Sequence, residues 1–129
     1  MSKKKITPQS AKAKGRRFQH WIASKISEIT GFEWGASGED KPIESRAMGQ
    51  SGADIRMESQ VIEKFPFSIE AKNVEKWSIP NWINQAKDNQ IDGTDWLLFV
   101  KKNRTNPIVI MDAERFFELL EKTNEINSK

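Results

Sequence analysis

The chain lacks cysteine entirely, and its 129 residues include a single histidine, His20. The absence of cysteine excludes disulfides, thiolate metal ligands and cysteine nucleophiles, and one histidine excludes a zinc site built from several histidines. The sequence also has no apolar run long enough to span a membrane and no apolar stretch of the kind found in signal peptides. We therefore expect a cytoplasmic protein without a membrane partner.

Acidic residues are missing from the start of the chain, which the modest net charge of +3 conceals. Residues 1–27 contain eight Lys or Arg and no Asp or Glu, so they carry +8. Residues 28–129 contain the other 21 − 8 = 13 Lys or Arg and all 18 Asp or Glu, so they carry 13 − 18 = −5. A basic segment joined to an acidic body indicates a polyanionic partner, although a solvated tail that only aids solubility has the same composition.

The length and a composition of 36% hydrophobic and 30% charged residues predict one folded domain. We assign residues 1–13 to a flexible basic arm, residues 14–122 to the domain and residues 123–129 to a frayed C-terminus. Periodicity and turn residues predict, in order, a helix over residues 14–29, a short strand near 44–48, strands over 53–59 and 66–72 joined by a connection at 60–65, a helix over 79–91, strands over 96–100 and 107–111, and a helix ending near 122. This order predicts the α/β fold class, with a central mixed β-sheet flanked by helices.

The first and last helices are each predicted to bury an apolar face. The residues expected to point inward are Phe18, Ile22, Ile26 and Ile29 in the first helix, and Phe116, Phe117, Leu119 and Leu120 in the last. If both faces are buried, the two helices contribute to one core around the sheet.

Two acidic residues and one lysine lie on two neighbouring predicted strands. In the segment Phe67–Lys72 (Phe-Ser-Ile-Glu-Ala-Lys), strand alternation places Glu70 and Lys72 on one face and apolar residues on the other. Asp54 opens the preceding strand, and two carboxylates with a lysine suit a magnesium ion and a water molecule at a phosphodiester. The same Glu-x-Lys pattern at Glu39–Lys41 lies among glycines without strand alternation, so context distinguishes the two. An exposed hairpin with a cross-strand salt bridge is the alternative interpretation.

Several ordered segments surround this pattern. They are Lys14–Gln19 (Lys-Gly-Arg-Arg-Phe-Gln), Ser45–Gly49 (Ser-Arg-Ala-Met-Gly), Ser51–Ile55 (Ser-Gly-Ala-Asp-Ile), Phe67–Asn73, Gln85 and Leu98–Arg104 (Leu-Phe-Val-Lys-Lys-Asn-Arg). The set closely resembles the PD-(D/E)XK nuclease superfamily and, within it, the small phage-type and archaeal Holliday junction resolvases. The resemblance extends from about Lys14 to Leu120, nearly the whole domain.

This resemblance implies a restriction-endonuclease-like core, cleavage of DNA, dependence on Mg²⁺ with Mn²⁺ as a substitute and, for resolvases, a homodimer. Asp54 and Glu70 match the metal-binding carboxylates of the family, and the backbone carbonyl of Ala71 would join them as a ligand. Lys72 matches the motif lysine, and Gln85 matches a glutamine of the following helix. Ala53 stands where the family name has proline, a substitution that the family tolerates.

Gln19 departs from the resolvase pattern, because archaeal resolvases carry a glutamate at this point of the first helix. A neutral amide can coordinate a metal or hydrogen-bond to its water, but it adds no negative charge. Either Gln19 serves in this way as a catalytic residue, or a loop carboxylate such as Glu44 completes the metal shell. The sequence leaves both possibilities open.

Basic residues are expected to bind DNA without reading its sequence. They are Lys14, Arg16 and Arg17, aided by the N-terminus of the first helix, Arg46 before the catalytic strand, and Lys101, Lys102 and Arg104, which form either a second cluster or a solvated hairpin tip. Trp21 and Trp34 either cover the core, stack on bases or mediate dimer contacts, and covering the core is favoured.

The function predicted from these residues is a magnesium-dependent DNA endonuclease, specifically a structure-selective Holliday junction resolvase. It would act in the cytoplasm of a bacterium or a phage-infected host cell. A general nicking or restriction-type endonuclease of the same fold and a catalytically impaired DNA-binding module are the alternatives.

Overall fold

The computed structural model describes residues 7–127, which form four helices and six strands. In chain order these elements are α1 (Pro8–Thr30), β1 (Trp34–Gly35), β2 (Ile43–Ser45), β3 (Ile55–Met57), α2 (Ser59–Lys64), β4 (Phe67–Asn73), α3 (Ile79–Asp88), β5 (Asp95–Lys101), β6 (Ile108–Met111) and α4 (Ala113–Asn127). Within this part of the chain, no helix combines the length and apolar character needed to cross a membrane.

Both terminal helices are longer than predicted. Helix α1 begins at Pro8, not near residue 14, because the Thr7 hydroxyl accepts a hydrogen bond from the Ser10 backbone N–H (3.1 Å) and proline suits the first helical position. The prediction of a flexible arm over residues 1–13 is therefore wrong for residues 8–13, and residues 1–6 lie outside the described part. Helix α4 continues to Asn127, so the predicted end near residue 122 is also wrong, and residues 128–129 lie outside the described part.

The strands form two three-stranded sheets, each of mixed direction. In the first sheet β2 pairs parallel with β1 and antiparallel with β3, and in the second β5 pairs parallel with β4 and antiparallel with β6. The Asp54 backbone N–H, just before β3, donates to the Ile69 carbonyl of β4 (2.9 Å) and connects the sheets. The predicted α/β fold with a mixed sheet flanked by helices is confirmed, with its strands divided between two sheets.

The segment between β3 and β4 is a helix and not the predicted connection. Val61 of α2 is fully buried, so this short helix closes one side of the core. Because β3 pairs with β2 and β4 pairs with β5, the two strands around Asp54 and Glu70 do not form a hairpin. The hairpin interpretation of the acidic pattern is therefore excluded.

The core lies between α1 and the two sheets. Phe18, Ile22 and Ile26 are buried as predicted and pack with Ile55 and Ile69 of the strands. Full burial of a side chain of this size contributes about 1.5–3 kcal/mol. These contacts make α1 a fixed support for the strand ends.

Four residues predicted to point inward are instead exposed. Ile29 is 71% exposed at the end of α1, and Phe116, Phe117 and Leu120 are also exposed on α4. Only Leu119 of the predicted α4 set packs against the core. The prediction is wrong for the other three because no described element covers that face of α4.

Candidate active site

Asp54 is tied to β4 through both its backbone and its side chain. Its backbone N–H donates to the Ile69 carbonyl, and its Oδ2 atom accepts a hydrogen bond from the Ala71 backbone N–H at 2.7 Å. The two bonds straddle Glu70, the residue between Ile69 and Ala71. The carboxylate that precedes β3 is therefore held beside the carboxylate of β4.

Glu70 presents an unsatisfied oxygen at this point. Its side chain is buried, its Oε1 atom lies 3.6 Å from the Lys72 Nζ atom, and its Oε2 atom has no hydrogen-bond partner among the described residues. Burial raises the pKa of Glu70, while the charge of Lys72 and hydrogen bonding from Asn89 oppose that rise. A buried carboxylate oxygen without a donor is an open ligand position for a cation.

The pKa of Asp54 is raised to about 7, first by burial and then by the negative charge of Glu70. The Ala71 N–H, Lys72 and Arg46 favour the charged form, but they offset these effects only in part. The protein thus brings together more negative charge than its own cations neutralise. A divalent cation with oxygen ligands would supply the missing positive charge.

The donor set fits such an ion with an incomplete protein shell. No group of three or more acidic or histidine residues arranged to hold a metal occurs within residues 7–127. Asp54, Glu70 and a backbone carbonyl such as that of Ala71 would leave positions for water or phosphate oxygens. Mg²⁺ typically keeps several waters when it binds to proteins, so two carboxylates are compatible with it.

Lys72 is held at the mouth of the site. Its Nζ atom lies 5.9 Å from the centre of the Trp82 ring, which is buried in the second apolar cluster. The ring and the Glu70 carboxylate together restrict the position of the ammonium group. Lys72 is therefore placed to meet a negatively charged group that enters beside Glu70.

Gln19 lies behind Asp54 and is fully buried. Its Nε2 atom donates to the Asp54 carbonyl at 2.9 Å and to the Arg46 carbonyl at 3.4 Å. The Arg46 backbone N–H also donates to the Asp54 carbonyl, so one amide joins α1 to both segments. This geometry gives Gln19 a positioning role. Glu44 points elsewhere and pairs with Arg56 at 3.7 Å.

A cleft of about 390 Å³ opens over the two carboxylates. Gly15 of α1 permits the approach of Met48, because a Cβ atom at Gly15 would lie 2.7 Å from the Met48 Cε atom. Gly52 has φ of 94°, and a Cβ atom there would meet the Arg46 guanidinium at 3.0 Å. The glycines thus let Met48 and Arg46 lie close to the backbone at the α1 and loop sides of the cleft.

Helix α3 closes the opposite side of the cleft. Gln85, predicted from the family resemblance, lines the cleft, as does Asn89 one helical turn later. Asn89 was not predicted as a functional residue. The spacing of four residues between two amides on one helix was the available signal, since residues i and i+4 share a face.

The predicted DNA-binding residues separate into two basic hollows on either side of the cleft. A hollow of about 530 Å³ is lined by Lys14, Arg17 and Lys101, and one of about 390 Å³ by Arg16 and Arg46 with the unpredicted Lys12. Asn73 lines both the first hollow and the cleft, whereas Met48 lines both the second hollow and the cleft. The three concavities therefore adjoin one another.

Two predicted DNA-binding residues line neither hollow, and the predicted contribution of the α1 N-terminus to phosphate binding is wrong. Lys102 stacks 5.0 Å from the centre of the Trp77 ring, and Arg104 is exposed in the turn after β5; neither lines a hollow. Because α1 begins at Pro8, Lys14, Arg16 and Arg17 lie in its interior. The helix N-terminus is therefore not beside them, and any phosphate contact depends on their side chains.

Comparison with known proteins gives one result. A family described as "Phage putative PDDEXK endonuclease" matches residues 10–129, which covers α1 from its third residue and every later element of the fold. No curated protein and no solved structure gives a significant match.

Proposed function

Because the chain belongs to this family of phage PDDEXK endonucleases, we propose that it hydrolyses DNA phosphodiester bonds with Mg²⁺ as its ion and Mn²⁺ as a substitute. The observation that carries the proposal is the pair of carboxylates, half-buried Asp54 and buried Glu70, beside Lys72. Their cleft lies between two basic hollows that suit a polyanionic backbone. The substrate would be DNA in the cytoplasm of a bacterium infected by a phage.

Each residue has a defined part in this proposal. Asp54, Glu70 and the Ala71 carbonyl would hold the ion, which would supply Lewis-acid activation of water and of the phosphate. Lys72 stabilises the negative charge that develops on the phosphate, or orients the attacking water. Gln19 fixes the Asp54 segment through its carbonyls, and Gln85 contributes a polar group from α3.

The basic hollows would hold the DNA backbone on either side of the cleaved bond. Arg17 and Lys101 lie on one side, and Arg16 and Arg46 on the other. Contacts of this kind act on phosphates and are therefore salt-sensitive and independent of sequence. This arrangement supports the more specific proposal of a structure-selective Holliday junction resolvase over a restriction enzyme that reads bases.

A homodimer would let the protein cut two strands symmetrically, as resolution requires. An apolar surface for such contact exists on β6 and α4, at Ile108, Val109, Phe116, Phe117 and Leu120. Strand β6 is an edge of its sheet, and apolar edge strands are suited to pairing with another chain. Sedimentation at several protein concentrations tests this proposal, and a monomer at all concentrations with and without DNA would reject it.

Cleavage assays on three substrates test the proposed function. The protein is incubated with labelled four-way junction, matched duplex and single-stranded DNA, in Mg²⁺, Mn²⁺ or EDTA. Paired symmetric nicks in the junction, dependent on the metal, are the expected result. Nicks in plain duplex would indicate the general nicking endonuclease instead, and tight binding without cleavage would indicate the impaired DNA-binding module.

A further inference from the structure

We propose that the larger hollow beside the active site binds one unpaired nucleotide of the DNA substrate. This inference rests on the proposed function for the identity of its ligand as DNA, and it specifies which DNA is recognised. The volume of about 530 Å³ falls within the range of roughly 300–1,000 Å³ typical of small-ligand sites. The hollow is therefore large enough for more than a phosphate group.

The hollow combines cations with an aromatic surface. Arg17 and Lys101 supply positive charge for a phosphate, and Trp21 is 42% exposed at the wall. The Trp21 ring lies parallel to that of Phe18, with centroids 6.1 Å apart and an interplanar angle of 18°. Because Phe18 is buried in the core, it holds the indole in place. The Lys25 ammonium lies 5.8 Å from the ring centre, and a base that stacks on that face would displace it.

Amide groups line the opposite side of the hollow. Asn73, Asn103 and Asn106 each offer a donor and an acceptor, the combination that pairs with base edges. The Asn73 Oδ1 atom is buried and has no hydrogen-bond partner among the described residues. A base amino group would supply the donor that this oxygen lacks. In a paired duplex the Watson–Crick edges are already occupied, so the amides can pair with those edges only in an unpaired base.

The Glu75 carboxylate connects two walls of this hollow in the absence of DNA. The Glu75 Oε2 atom accepts from the Asn103 backbone N–H at 2.8 Å and lies 3.4 Å from the Lys14 Nζ atom. It thus ties the turn between β5 and β6 to α1, and it offsets the charge of Lys14. Arg17 and Lys101 remain as the cations available to a phosphate.

The position of Asn73 connects this hollow to the chemistry. Asn73 follows Lys72 on β4 and lines both the hollow and the catalytic cleft. A nucleotide in the hollow would therefore lie next to the bond that is cut. The expected substrates are DNAs with an unpaired or unstacked nucleotide at that point, such as branch points and flaps.

The test measures base stacking without cleavage. The protein carries Glu70→Ala to prevent cutting, and EDTA is present. The probe is duplex DNA with 2-aminopurine at one unpaired position, compared with the same duplex fully paired. We expect the protein to quench the unpaired 2-aminopurine and to bind that DNA more tightly than the paired control.

Adding Trp21→Ala should weaken binding of the unpaired DNA about 5- to 100-fold, the range of base–aromatic stacking, and leave paired DNA unchanged. Trp21→Phe should restore most of the difference, and Ile29→Ala, an exposed apolar residue on the same helix, should have no effect. Asn106→Ala, in an exposed turn, provides a second variant without a buried contact, with a loss of about threefold to tenfold.

Equal affinity of the parent protein for both DNAs, or equal losses on both in Trp21→Ala and Asn106→Ala, would overturn the inference. Because the readout is binding without metal, it is separate from the proposed function. A protein that prefers unpaired DNA but never cuts would refute only the nuclease proposal. A protein that cuts without this preference would refute only the proposal that the hollow binds an unpaired nucleotide.

Discussion

Two segments of this chain carry the same short patterns and have opposite environments. Gly38-Glu39-Asp40-Lys41 contains both Gly-x-Asp and Glu-x-Lys, as the site does with Gly52-Ala53-Asp54 and Glu70-Ala71-Lys72. In the first segment Glu39 and Asp40 are exposed, and Lys41 pairs with Glu33 at 2.9 Å. In the second Glu70 is buried and retains an unpartnered oxygen, and Asp54 is half-buried.

The difference shows that the Gly-x-Asp and Glu-x-Lys patterns do not make a cation site by themselves. The site also requires that the carboxylates be removed from water. Exposed carboxylates are solvated by water, whereas buried ones require a counter-charge. The first segment therefore provides matched controls for each residue of the site. A substitution in the site should change cleavage or stability, whereas the same substitution in the first segment should not. Equal effects in both segments would contradict the distinction between them.

The largest difference is expected between Glu70→Ala and Glu39→Ala. Loss of Glu70 would remove a proposed metal ligand and several kcal/mol of charge stabilisation, so cleavage should fall at least about 1,000-fold while DNA binding is retained. Glu39→Ala should cut at the parental rate. Single-turnover cleavage and binding anisotropy measure the two properties. If Glu70→Ala cuts normally, the site is elsewhere.

The lysines form the second pair. Lys72→Ala should reduce the cleavage rate about 10²- to 10³-fold, because a positioned charge next to the phosphate is removed. Lys41→Ala should leave that rate unchanged, because its partner is Glu33 on the surface. The rate is measured at saturating Mg²⁺ to exclude weaker metal binding as the cause. Equal rates for the two variants would contradict the assigned role of Lys72.

The effect of Asp54→Asn on the free energy of unfolding is expected to depend on pH, and Asp40→Asn is its control. Since the pKa of Asp54 is raised to about 7 in the folded state, its stabilising contribution is present in acid and is lost as the pH rises through that value. Without metal, the advantage of Asp54→Asn over the parent should grow by on the order of 3 kcal/mol between pH 5 and pH 8, because it accrues at about 1.4 kcal/mol per pH unit only up to about pH 7.

Urea unfolding in EDTA at both pH values measures this difference. Asparagine can still accept the Ala71 hydrogen bond through its amide oxygen, so the substitution removes charge and retains that contact. Asp40→Asn, at an exposed carboxylate, is the matched control. A pH-independent effect of Asp54→Asn would show that Asp54 ionises normally.

The smallest effect is expected at Gln19, which acts through the backbone. Gln19→Ala removes the amide that joins α1 to the Asp54 and Arg46 carbonyls, and should lower metal affinity or rate about 10- to 100-fold, the range for groups that support metal ligands. Gln60→Ala, on the surface of α2, is the control. A metal titration of cleavage separates the two effects, and Gln19→Ala with parental metal affinity and rate would contradict a positioning role.

Much of the fold could be predicted from the sequence because local patterns agreed with the tertiary structure. The alternation in β4 predicted a shared face for Glu70 and Lys72, whose charged groups lie 3.6 Å apart, and Gly31 ends α1 as expected with φ of 81°. The start of α1 was misplaced although Thr7 and Pro8 are standard initiation signals, because the basic segment suggested a flexible arm. The exposed Phe116 and Phe117 follow no local rule, since burial depends on what lies across from a helix.

The sequence by itself determined most of the elements, the acidic and lysine residues and the family, because these follow from composition, periodicity and ordered motifs. Only the tertiary structure placed Gln19 against two backbone carbonyls and divided the cations between two hollows. It also raised the pKa of Asp54, since burial beside Glu70 joins residues sixteen positions apart (70 − 54 = 16). Proximity of this kind comes from packing α1 and the two sheets together, which no local pattern encodes.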